Sequence, residues 1–91
     1  MISLRMLEIF EKFHGDVDGL ARAGTEEDRA VVSPEAWREI ASFVQRLALV
    51  ESGHASENFE QETVALLEGR LPDAGARSLL RQLAARARHG S

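Results

Sequence analysis

The chain contains no cysteine, two prolines, one tryptophan and aromatic residues at only 5% of its length. Without cysteine there is no disulfide framework, no thiolate zinc site and no cysteine nucleophile. A secreted domain of this size usually needs such staples, so the expected location is cytoplasmic. Long apolar runs are missing too. The longest, Leu47 to Val50 and the equally long Val64 to Leu67, fall far short of the roughly 20 residues that cross a bilayer. Arg5, Glu8 and Glu11 interrupt the early apolar stretch, which therefore does not read as a signal peptide. No membrane partner is expected. Apolar and polar residues never alternate as they would along a strand, and β-branched residues cluster only at Val31-Val32. Net positive charge, an aromatic stacking platform and a helix-turn-helix spacing are all lacking, so nucleic acid is not an expected partner.

What remains is ordinary for one folded domain: 91 residues, 44% hydrophobic and 29% charged. So small a domain buries only about 60–65% of the surface its unfolded chain exposes, so nearly every large side chain must pack. Ten of the eleven basic residues are arginine, and alanine is abundant, a composition typical of GC-rich bacterial coding sequences. Residues 1–89 read as a single helical domain. Gly90-Ser91 read as an expression remnant and are assigned no role.

Periodicity predicts an all-α fold: a compact four-helix arrangement with helices at about 3–13, 34–52, 57–68 and 74–88. Ser3 caps the first, which places Met6, Ile9, Phe10 and Phe13 on one side before Gly15 ends it. Ser33-Pro34 opens the second, and Glu35 suits its first turn. Its apolar stripe of Trp37, Ile40, Ala41, Val44, Leu47 and Ala48 is widened by Phe43 and Val50. So broad an arc belongs to a helix touched on several sides, at the centre of the bundle. Ser56 starts the third, in which Phe59, Thr63, Leu66 and Leu67 share a face. The fourth follows Asp73, with Ala76, Leu79, Leu80, Leu83, Ala84 and Ala87 on one side. Short connections make the last three antiparallel neighbours. The 16–32 connection carries one or two short helical pieces, one capped by Asp16 and another opened by a Thr25/Asp28 capping box. Trp37, Phe43, Leu47, Phe59 and Leu83 are the expected core.

The sharpest local pattern is His14-Gly15-Asp16-Val17-Asp18-Gly19. With Gly19 at the sixth position of a calcium loop, Asp16 and Asp18 fall at the third and fifth. The first position is then His14 and the twelfth Thr25, so the two anchoring carboxylates are missing. His14, Asp16 and Asp18 are therefore weak metal candidates, and no metal or cofactor is expected. The simpler reading makes Asp16 and Asp18 a helix cap and its acidic first turn. His14 beside Asp16, or His54 beside Glu51 and Glu57, is the nearest approach to an acid–base pair. Neither comes with an orienting group or a charge-stabilising site, so no catalytic residue is assigned and an enzyme is not expected.

Charge is unevenly divided. Residues 1–69 carry fourteen acidic and six basic side chains, a net of −8, whereas residues 70–91 carry five arginines and one aspartate, a net of +4. Asp16, Asp18, Glu26, Glu27 and Asp28 form the candidate partner-binding surface, suited to a basic protein. Arg77, Arg81 and Arg88 line one side of the last helix as a second candidate surface for phosphate or an acidic partner. Solvated cations suited to a helix C-terminus are its simpler reading. Leu4 and Leu49 fall where water is expected; either the third helix or the chain ends cover them, or, lying close together, they form a self-association patch. The expected function is a non-catalytic protein-interaction module, whether inhibitor, immunity-type protein or adaptor. In size and charge it resembles the small acidic helical immunity proteins that block nuclease toxins, although it carries none of their recognition motifs. A structural homo-oligomer, a homodimer for instance, is the first alternative, and a divalent-cation protein using the 14–19 loop is the second.

Overall fold

Every helix starts where a short polar side chain can take up an amide that the first helical turn leaves without a partner. The computed structural model describes residues 1–89 and contains six helices. They are α1 (Leu4–Lys12), α2 (Val17–Ala23), α3 (Glu26–Val31), α4 (Pro34–Glu51), α5 (Glu57–Arg70) and α6 (Ala74–His89). The caps are Ser3 for the Met6 amide, Asp16 for Asp18, Thr25 for Asp28, Ser33 for Ala36 and Ser56 for Phe59. The Asp73 carboxylate likewise accepts from the Gly75 amide at 2.8 Å. The four long helices fall where periodicity places them, and the 16–32 connection resolves into the short helices α2 and α3. No strand occurs among the described residues. Gly90 and Ser91 lie outside them.

Helix α4 is the centre. Its largest interface is with α6, and α5 and α1 pack on its other sides. Three contacts set the directions. Arg46 meets Thr63 while Glu39 meets Arg70, so α5 runs antiparallel to α4. Arg88 donates to the carbonyl of Glu51 at the far end, so α6 runs parallel to α4. Each of the last three helices thus runs antiparallel to the one before it, as expected, but α5 and α6 are not packed neighbours: each packs on α4, with little packing between them. A narrow inward stripe explains this, because α5 buries only Thr63 and Leu67 and cannot cover two neighbours at once.

Of the expected core, Trp37, Phe43, Leu47 and Leu83 are buried. Phe59 is not; it is half-buried, and the Arg46 guanidinium lies 4.3 Å from its ring centroid. A cation over a ring face is attracted by the ring's quadrupole, so the exposed edge of Phe59 is covered by charge. Arg46 also donates from Nε to the buried Thr63 hydroxyl at 3.2 Å, while its Nη2 is buried with no hydrogen-bond partner among the described residues. A buried donor left unpaired loses its water for nothing. Arg46→Met, which keeps the aliphatic stem over Phe59, is therefore expected to be neutral or to stabilise by up to about 1 kcal/mol. Urea titration followed by circular dichroism checks it.

The turn out of α1 sets the far wall. His14 and Gly15 are successive left-handed residues, with φ of 52° and 73°. A Cβ on Gly15 would stand 3.2 Å from the Phe10 ring. The Trp37 indole donates to the Gly15 carbonyl at 3.3 Å and lies against Phe10, with centroids 4.8 Å apart. This turn, Phe10 and Trp37 thus form one packed unit joining α1 to α4.

Asp28 is the one buried carboxylate among the described residues. It completes the capping box with Thr25, and Lys12 donates to it at 3.1 Å, joining α3 to α1. The Lys12 hydrogen bond, helped by Thr25, holds its carboxyl below the ordinary value of 3.8, against the opposing effect of burial. A depressed folded-state pKa means that its stabilisation is complete above the unfolded pKa and is lost as pH falls through the lower folded value. Melting curves from about pH 5 down to about pH 2 are expected to show an acid loss that Asp28→Asn flattens.

Candidate functional site

From Leu47 to Gly69 the chain has no lysine or arginine. Within that stretch α5 carries Glu57, Glu60, Glu62 and Glu68, all exposed. Neither of the cations that bracket it makes an ion pair with those glutamates. Arg46 is spent on Thr63 and the Phe59 ring. Arg70 grips Glu39 with a two-pronged fork at 2.6 and 2.9 Å, which lowers the Glu39 pKa and raises that of Arg70. None of the four α5 glutamates makes an ion pair among the described residues.

Their arrangement follows from helical spacing. Glu57, Glu60, Gln61, Val64, Ala65 and Glu68 recur at intervals of three and four, so they form one stripe about 16 Å long. They line a shallow depression of about 430 Å³ on the outside of α5. Val64, 42% exposed, lies at its middle among the carboxylates. Glu57 and Glu60 suit the amide end of α5, but Glu68 lies in its last turn, where the carbonyl end disfavours negative charge. Leu66, expected on the inward face, is instead 41% exposed. Its position is 100° from that of Leu67, the residue that takes the inward place.

The surface chosen from sequence divides. Asp16, Asp18, Glu26 and Glu27 are exposed, but Asp28 points inward and is only 4% exposed, so it leaves the accessible set. Asp16 is occupied as the α2 cap, with Arg22 at 3.8 Å. Glu26 and Glu27 carry no ion pair among the described residues. His14, Asp16 and Asp18 do not converge: among the described residues no three His, Asp or Glu side chains form a group that could hold a metal ion.

The arginine stripe is largely spent within the fold. Arg77 donates to the carbonyl of Leu71, the C-cap of α5, at 2.7 Å. Arg88 donates to the carbonyl of Glu51, the last residue of α4, at 2.9 Å. Each satisfies a helix-terminal carbonyl, as cations near helix C-termini do, but on a neighbouring helix rather than on its own. Arg81 alone of the three is exposed with no ion pair or hydrogen bond among the described residues. The Ser52 hydroxyl lies 3.0 Å from His54 Nδ1 but is spent on the Leu49 carbonyl, and both residues are exposed. Leu4 and Leu49, whose exposure the sequence left open, are both exposed. No helix among the described residues is long and apolar enough to cross a membrane.

No family model matches the chain, and comparison with curated proteins and with solved structures finds no match either. The α5 face is what sequence reasoning missed. The signal was present in the base-free run from Leu47 to Gly69, which counting charge over residues 1–69 as a block had averaged away.

Proposed function

We propose that this chain is a non-catalytic interaction module that docks a basic protein partner on the outer face of α5. The observation that supports it most is the set of three exposed glutamates around Val64, Glu57, Glu60 and Glu68, none of them in an ion pair among the described residues, with Arg46 held against Thr63 and Phe59 and Arg70 held by Glu39. Clustered like charges repel one another, and a cationic partner would relieve that repulsion. Charge of this kind speeds association and selects partners, and a small apolar centre excluded from water holds them.

The test is a pull-down from the native host's lysate with three baits: the wild type, Glu60→Lys with Glu68→Lys, and Glu26→Lys with Glu27→Lys. A basic protein retained stoichiometrically by the wild type, released by moderate salt and lost from the α5 variant supports this reading. Loss from the α3 variant alone would move the site to Glu26 and Glu27. Exposed Leu49, Val64 and Leu66 favour a second reading, a homo-oligomer. A monomer by light scattering at about tens of micromolar removes that one.

A further inference from the structure

Helix α1 has nine residues and α6 has sixteen, and the two run side by side from Leu4 near Gly75 to Glu11 at Arg86. Beyond Lys12 the chain turns away through the two left-handed residues His14 and Gly15. The groove between α4 and α6 consequently loses its cover over their second halves. What is left is a cleft of about 670 Å³, walled by Phe10, Ala41, Val44, Leu83 and Ala87. The two alanines leave this space open, since larger side chains there would fill it. Its volume lies within the range of about 300–1,000 Å³ usual for small-ligand sites.

The mouth carries Glu11, His14, Gln45 and Arg86. The sole carboxylate among them, Glu11, accepts from Nη1 of Arg86 through one oxygen at 2.6 Å. The remaining guanidinium N–H groups of Arg86 and the His14 ring make no hydrogen bond or ion pair among the described residues. The cleft thus offers an apolar interior and, at its edge, guanidinium N–H groups that Glu11 leaves unused. A cationic ligand would meet Arg86, and a neutral hydrocarbon would leave the donors unused. A carboxylate matches the planar fork of an arginine.

We propose that this cleft binds a small amphipathic carboxylate, with its hydrocarbon part against Phe10, Val44 and Leu83 and its head group at Arg86 and His14. The site is separate from α5, which contributes none of its lining, so it stands whether or not α5 docks a partner. Octanoate and octanol, titrated into the ¹⁵N-labelled full chain and followed by amide shifts, test it. Octanoate is expected to saturate shifts at Gly15, Val44 and Ala87, binding about tenfold tighter than octanol. Arg86→Met should bring the two ligands to equal affinity. Ala87→Phe, at an exposed position that tolerates a larger side chain, should abolish binding of both while helicity is unchanged. Equal affinity of octanol and octanoate for the wild type overturns the proposal. So do saturating shifts outside the cleft, the absence of any shift, or wild-type octanoate binding by a folded Ala87→Phe variant.

Discussion

Trp37→Ala is expected to cost about 3–5 kcal/mol, the range for removing a buried large aromatic side chain. Three features place it there. The indole is buried, its ring lies against Phe10 at 4.8 Å, and its N–H holds the carbonyl of Gly15. Truncation therefore opens a cavity, removes an aromatic contact and frees a backbone acceptor in the turn that joins α1 to α4. A chain of this length has roughly 5–14 kcal/mol of stability in all, so at the lower end up to about half of the population would unfold. Trp37→Phe should recover most of the loss, keeping a ring against Phe10 and forfeiting about 1 kcal/mol for the hydrogen bond. Urea titrations by circular dichroism would show both. A cost below about 1 kcal/mol for the alanine variant would mean that Trp37 is not packed as described.

Leu80→Ala is expected to cost about 2–5 kcal/mol, toward the upper part of that range. Leu80 is fully buried on α6, and one turn to either side lie Ala76 and Ala84, also fully buried. Alanines bring helix backbones close together but have no side chain able to swing into a void. The cavity left at residue 80 therefore cannot collapse, and an uncollapsed cavity is what makes such substitutions expensive. Leu79→Ala, one residue away and only partly buried against the core, should cost clearly less. Equal losses at the two positions would show that α6 does not present the described face to the core.

The pattern of what the sequence revealed follows from what periodicity measures. Caps and stops are local chemistry, so Ser3, Asp16, Thr25, Ser33 and Ser56 mark helix starts correctly. The breadth of an apolar arc reports how many sides of a helix are touched, so the central place of α4 was legible. Which neighbour covers which side is not local. The parallel course of α6 beside α4 and the separation of α5 from α6 depend on how narrow stripes fit together in three dimensions. The same limit explains the site. Asp28 reads as one more surface acid until α3 is folded against α1 and Lys12 reaches it. Arg77 and Arg88 read as a free stripe until the ends of α5 and α4 arrive beside them. The glutamates of α5 gain meaning only when Arg46 and Arg70 are seen to be engaged elsewhere.

The most direct test of the central claim is the affinity of the purified partner for the wild type and for Glu60→Lys with Glu68→Lys, measured across a series of salt concentrations. An acidic α5 docking face predicts wild-type binding that weakens as salt rises. The variant should bind at least about tenfold more weakly at low salt and depend less on salt, with its helicity and melting temperature unchanged. Undiminished low-salt affinity in that variant would contradict the claim.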